Sequence, residues 1–260
     1  MVERFGPDVP RPLVVVFLPE RLELVRGGPS LRRAHLDQFA AALHPASADL
    51  RGRYGRALAQ RNALVARGAA HLLDPWDGEL ARIGWELMEA RAAAAEQLAE
   101  PFARFAAELG LPEPATLAYR PRSHADGPDG LRAELLERRA ADVQRGFTAH
   151  GPHRDELQLA HVGRALRAFG SQGQQRVALL ALLLAEREIL LARHDRAPLM
   201  LLDDVMSELD AERRLRLAEL LRGGGQALVT ATEVEHVPGA GEAGVATIAV
   251  EPGAVAQAAA

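Results

Sequence analysis

The chain contains no cysteine and no lysine, so all 31 of its basic residues are arginine. Without cysteine there is neither a disulfide framework nor a thiolate metal site. Without lysine there is no ammonium for a Schiff base, and a phosphate-binding loop of the form G-x-x-x-x-G-K-S/T cannot be written anywhere in the 260 residues. Positive charge is in deficit as well. Against 35 acidic residues the formal net charge is -4, so any contact with nucleic acid must come from a local patch and not from the overall field. Long hydrophobic runs are missing too: the most apolar stretch, residues 177–185, is about half of the ~18 residues a membrane span requires. The opening MVERFGPDVPRP has no apolar segment of signal-peptide length. These absences describe a cytoplasmic protein without a membrane partner. With 48% apolar residues it can bury a substantial core in one large or two modest domains.

What is present reads as alternating layers. LVVVFL at 13–18 is a continuous apolar run suited to a strand buried on both faces. GGPS at 27–30 places Ser30 to cap a helix reaching about residue 44. Residues 47–108, rich in Ala, Leu, Arg and Glu, predict long helices in an arm, and 119–130, YRPRSHADGPDG, is turn chemistry. A helix over 131–146 follows, then a hairpin of 157–162 and 165–169 around Gly163-Arg164. The order is then helix 171–193, strand 198–204, helix 211–222, strand 226–232 and strand 245–250, with a frayed Ala-rich tail. Strands alternating with helices imply an α/β layer with a largely parallel sheet.

Two stretches carry chemistry. In PLMLLDDVMSELD (198–210) an apolar strand runs into Asp203 and Asp204, and two carboxylates at a strand end call for a cation. Ligands bind at the carboxyl ends of strands in open α/β sheets. A hydrated Mg²⁺ on one carboxylate, with the other orienting a water, meets the need; the same pair also reads as a loop start, and Asp210 as a helix cap. In FGSQGQQR (169–176), Ser171 heads an apolar helix, Gly173 allows close backbone approach, and Gln174 and Gln175 add neutral donors, which together make an anion site or a plain N-cap.

GPHRDE (151–156), FGSQGQQR and LLDDVMSELD (201–210), with FLPERLELVRGGPSLRRAHLD (17–37) and YGRALAQRN (54–62) upstream, resemble the RecF family of DNA replication and repair proteins, over residues 13–233. The resemblance implies an incomplete ATP-binding-cassette head with an inserted helical arm. It divides the chain into a partial head segment (1–35), the arm (36–146), a head carrying the motifs (147–250) and a tail (251–260). By that resemblance Ser171, Gln172, Gly173, Gln174 and Gln175 look like the signature motif that contacts the γ-phosphate of ATP held by a partner subunit. Asp203 looks like the Mg²⁺-linked Walker B acid, Asp204 the catalytic carboxylate, and the segment from Ser207 to Asp210 the D-loop.

Related cassettes carry Glu at the position of Asp204 and a switch His at that of Thr232, which implies slow hydrolysis in the intact protein. The family's phosphate-binding loop has no counterpart here. The expectation is a truncated reading frame whose product, alone, binds ATP poorly and does not hydrolyse it. The resemblance further implies ATP-dependent dimerisation on gapped or single-stranded junction DNA, and work with RecO and RecR in loading RecA during the damage response. Two other readings stand beside it: a non-enzymatic module docking on DNA or a partner, and a chromosome-maintenance head of the SMC type, whose long coils this arm is too short to match.

The arm offers a basic patch. Arg51, Arg53, Arg56, Arg61 and Arg67 fall in a stretch without acids. At ~100° per residue, Arg53, Arg56 and Arg67 share a face opposite Tyr54, Leu58 and Val65. That face is a candidate DNA contact or a solvated surface; Arg32 and Arg33 are further candidates. His150, His153, Asp155 and Glu156 crowd together, but without the spacing of a helical ligand pair. An Arg154–Asp155 ion pair is the simpler expectation for that segment.

Overall fold

The computed structural model describes residues 13–112, 114–251 and 254–257. β1 (Val14–Phe17) is followed by a 3-10 turn and the single helical turn α1 (Glu23–Arg26). α2 (Pro29–Leu43) starts on Pro29, whose missing amide costs nothing in a first turn. Gly28 occupies the cap position and no side chain caps the helix, so Ser30 lies inside it and not at its start. α3 (Leu50–Ala66) and the 35-residue α4 (Asp74–Glu108), about 50 Å long, make the arm's principal helices.

Beyond α4 come β2 (Ala115–Arg120), α5 (Pro128–Glu137) and α6 (Arg139–Arg145), the last closed by Gly146 at φ +79°. β3 (Glu156–His161), β4 (Arg164–Ala165), α7 (Leu166–Phe169), α8 (Gln172–His194), β5 (Leu199–Leu202), α9 (Ala211–Arg222) and β6 (Ala227–Val229) follow. β7 (Ile248–Glu251) and β8 (Ala254–Gln257) close the described chain.

Three sheets result. β1, β5 and β6 form a parallel sheet in the order β1-β5-β6, with Val14 opposite Leu199 and Met200 opposite Ala227. Val15, Phe17, Met200 and Leu202 point from one face into the main core, where residues 177–185 of α8 are almost wholly buried. The other face, Val14, Val16, Leu199, Leu201 and Leu228, is half-buried to exposed, an uncovered apolar surface on a type of sheet usually covered on both sides. β2, β3 and β4 form an antiparallel sheet, and β7 and β8 a separate hairpin.

α4 joins two cores. Leu80, Ile83 and Leu87 pack with Tyr54 of α3 and Leu131 and Leu135 of α5, while Ala94, Leu98 and Phe102 pack in the main core with α8. Leu36, Phe39 and Leu43 of α2 also lie in that main core.

The α/β class and the parallel sheet stand as the sequence predicts; beyond the Ser30 cap and the two-sided burial of β1, further local expectations change. The predicted hairpin's second strand is two residues long before the chain turns helical at Leu166, because Leu166 buries in the main core. Residues 119 and 120, read as loop, end β2, which gains its strand character from pairing with β3 some forty residues on. The helix over 131–146 divides at Arg138 into two. Part of the tail, read as frayed, pairs as β8, while residues 252–253 and 258–260 lie outside the described residues. Among the described residues no helix is long and apolar enough to cross a membrane.

Candidate nucleotide site

β5 ends at Leu202 and the aspartates follow. Asp203 N donates to Phe17 O at 3.0 Å and Thr230 N to Leu202 O at 3.0 Å, so both neighbouring strands hold the chain where the carboxylates begin. Thr230 Oγ1 donates to Asp203 Oδ1 at 2.6 Å and accepts from Asp204 N at 2.9 Å. Asp204 leaves the strand at φ +49°, a left-handed conformation that Asp tolerates better than most residues. Its Oδ1 is buried without a hydrogen-bond partner among the described residues, a costly state for a carboxylate unless a ligand meets it. Ser207 Oγ donates to Asp204 O at 2.9 Å and closes the turn.

The second part is the start of α8. Ser171 Oγ accepts from Gln174 N at 3.2 Å while Gln174 Oε1 accepts from Ser171 N at 2.9 Å, a reciprocal capping box. Gln175 is buried and its Nε2 donates to Leu166 O at 2.9 Å, tying the turn to α7. Gln172 is exposed, and Gly173 lies close enough to α9 that a Cβ there would sit 3.7 Å from the Arg213 guanidinium. The amides of Gln172 and Gly173 have no acceptor among the described residues and sit at the positive end of the helix dipole.

An ion pair between Arg176 and Glu208 bridges the two parts. Asp210 caps α9 through Arg213 N at 2.9 Å and pairs with the Arg213 guanidinium at 3.1 Å. Arg214 Nε donates to Met206 O at 2.7 Å and to Leu209 O at 2.9 Å, which stiffens the segment containing Ser207. Ser171, Gly173, Ser207, Asp210 and the two aspartates are thus connected through residues 204–210. Thr232 is exposed and makes no side-chain hydrogen bond among the described residues; the hydroxyl on the aspartates is that of Thr230. Sequence reasoning passed over Thr230, though it is the first polar residue after β6.

In the arm, Arg53 pairs with Glu86 at 3.4 Å and exposed Arg56 with Asp49 at 3.3 Å, while Arg67 is exposed. Tyr54 and Val65 are buried opposite them. Arg61 is fully buried and Arg32 nearly so, the latter bound to Glu156 at 2.7 and 2.9 Å, so neither faces solvent.

The segment 150–156 is a structural joint. Asp155 accepts from Tyr119 Oη and from Arg122 N at 2.7 Å, and its ion-pair partner is Arg91 at 3.7 Å, not Arg154, whose guanidinium lies over the Phe147 ring. Burial raises the Asp155 carboxyl above its ordinary value. His150 pairs with Glu134 at 2.5 Å, and no group of three or more His, Asp or Glu gathers around a metal position among the described residues.

The chain matches no protein-family model. Its layers define an ATP-binding-cassette-type ATPase head, the fold it shares at a TM-score of 0.79 and 27% identity with the recombination mediator protein RecF-ATP in the RecFOR pathway, over 95% of this chain and 68% of that one. It is 40% identical over 249 residues to the DNA replication and repair protein RecF of Geobacter metallireducens, covering 93% of this chain and 68% of that protein. With the RecF of Frankia alni it shares 39% identity over 260 residues, 88% of this chain and 68% of the other. The chain belongs to the RecF family of DNA replication and repair proteins, and spans about two thirds of the length of these relatives.

Proposed function

We propose that the chain supplies the signature-side half of a nucleotide site in an ATP-dependent clamp that works on DNA in replication and repair. One observation carries the reading. Two adjacent carboxylates stand at the end of a parallel strand, one held by Thr230, the other leaving it through a left-handed backbone with a buried oxygen that has no partner among the described residues. Mg²⁺ is a hard cation that takes oxygen ligands. Asp203, whose Oδ2 accepts no hydrogen bond among the described residues, is the residue to hold it, and Asp204 through Oδ1 is the residue to orient a water; the donor set fits. When bound, the ion neutralises charge on the phosphates.

The amides of Gln172 and Gly173, with the Ser171 hydroxyl, form the complementary face that meets a γ-phosphate bound to a second subunit. Gln174 and Gln175 act by position: one builds the cap, the other anchors the turn against α7. The Arg176–Glu208 pair couples this face to the segment of Ser207 and Asp210, which lies along the subunit boundary.

No phosphate-binding loop can be written from these residues, so the cradle for the β- and γ-phosphates comes from another stretch of polypeptide. The 260 residues alone therefore bind ATP weakly and do not hydrolyse it. In the assembled clamp, hydrolysis is slow and serves as a timer for dimerisation on gapped or junction DNA. RecO and RecR are the proposed partners there, with RecA loading as the outcome.

The test mixes this chain with a full-length RecF relative and follows association by sedimentation with and without ATP and Mg²⁺. Association that requires ATP, and that Ser171→Arg weakens at least about tenfold, is the expected result. ATP-independent association, or indifference to Ser171→Arg, favours the non-enzymatic docking module. An ATPase rate for this chain alone equal to the relative's removes the half-site reading.

A further inference from the structure

β2 is an edge of the antiparallel sheet, and its pairing phase identifies which backbone groups are already engaged. Val162 N donates to Pro114 O at 2.8 Å, one step beyond the register pair Ala115–His161, so residues 114 and 162 are a hydrogen-bonded pair. Such pairs alternate along an antiparallel ladder. Thr116, Ala118 and Arg120 therefore direct their amides and carbonyls to β3, and those of Ala115, Leu117 and Tyr119 face the open edge.

That edge adjoins a groove of about 580 Å³ whose opposite wall is α4. Trp85, Ala92, Ala95 and Ala99 line it from the helix, Leu117 and Tyr119 from the strand. From Trp85 to Ala99 the helix rises about 21 Å at 1.5 Å per residue, the length of a strand of about six residues. Three alanines at helical spacing leave room for side chains contributed from outside. On the groove's rim Glu89 and Glu96 are exposed, seven residues apart on one side of the helix. Glu79, Glu86, Glu100 and Glu108 of the same helix each pair with an arginine; Glu89 and Glu96 pair with none among the described residues.

We propose that this groove receives an extended segment of a partner protein, added to β2 as a further strand, with apolar side chains at alternate positions against α4 and arginine or lysine opposite Glu89 and Glu96. A bound helix would fill the apolar floor but leave the backbone groups of Leu117 and Tyr119 without partners; an added strand satisfies both. Nucleic acid is disfavoured by the two carboxylates.

The probe is a capped nine-residue peptide alternating valine with arginine and threonine, titrated into the full chain by calorimetry, beside the same peptide N-methylated at alternate amides. The inference expects saturable one-to-one binding at low salt, at least about tenfold weaker for the methylated peptide. It also expects binding to be lost in Ala92→Trp, which fills the groove, and weakened in Glu89→Arg with Glu96→Arg, while thermal unfolding shows each variant still folded. Equal binding of the two peptides, binding that survives Ala92→Trp, or no binding at millimolar peptide overturns the inference. A concentration-dependent dimer dispersed by the peptide overturns the proposed occupant in favour of a second copy of this chain.

Discussion

His153 sits under the arm between two partners that settle its protonation state. Its Nε2 is 3.0 Å from Thr148 O, which can only accept, so Nε2 carries the proton and Nδ1 accepts from Tyr54 Oη at 2.8 Å. Burial, ahead of the charges of Arg154 and Arg33, lowers its pKa from 6.5 to about 4. The folded pKa lies below the unfolded one, so between those values the unfolded chain binds more protons. The contribution to stability is complete above pH 6.5 and disappears as pH falls through 4. Urea denaturation at pH 7.5 and pH 4.5 is predicted to differ by on the order of 2 kcal/mol more in the wild type than in His153→Gln. Asp155, raised by burial, acts in the opposite sense at the acid end, so the comparison between the two proteins is the quantity to read. An equal pH dependence in both would show that His153 does not titrate in this way. None of this was legible in HGPHRDE, whose neighbouring charges suggest an Arg154–Asp155 ion pair; the partners of His153 come from α3 and from Thr148.

At the scale of elements the arm is held by a buried ionic junction. Arg61 of α3 donates to Asp77 of α4 at 2.6 Å, and to Asp142 of α6 and the Thr148 hydroxyl at 2.7 Å each; Arg139 reaches the other Asp77 oxygen at 2.6 Å. Arg61, Asp77 and Asp142 are fully buried. Removing the central cation strands carboxylates in the interior, so Arg61→Leu is predicted to cost about 3–5 kcal/mol in urea denaturation, against less than about 1 kcal/mol for exposed Arg51→Leu. A small effect at Arg61 would mean water reaches the junction. Composition predicted long helices over 47–108, where α3 and α4 lie, and a polar cap ahead of an apolar run predicted α8, because those signals sit within each segment's own length. They passed over β2 and the brevity of β4, since a strand owes its existence to a partner distant in sequence.

Across the whole molecule, the proposed contact with DNA has to be local in a chain of net charge -4. Arg53 and Arg56 sit partly or largely in solvent but have acidic neighbours in Glu86 and Asp49, and those weak surface pairs can exchange for phosphates. Replacing Arg53, Arg56 and Arg67 together by Gln is predicted to reduce the slope of log K against log salt for gapped DNA by up to about one unit per lost phosphate contact. A slope that does not change takes the patch out of consideration. The uncovered face of the parallel sheet belongs to this scale too, because no single strand discloses it: LVVVFL reads as a strand buried on both faces, and β1 and β5 are each buried on one.

The alternation of helices and strands from α8 to β6, the aspartate pair after β5, the polar turn before α8 and the impossibility of a lysine phosphate loop were all determined by the sequence alone. Each depends on residue type and on neighbours a few positions away. Tertiary structure decided the rest: that Thr230 and not Thr232 touches the aspartates, that Asp155 meets Arg91 and not Arg154, and that Arg61 is interior and Arg56 is not. Those outcomes depend on which surfaces meet when distant elements pack, and burial turns the same guanidinium from a solvated charge into a structural link.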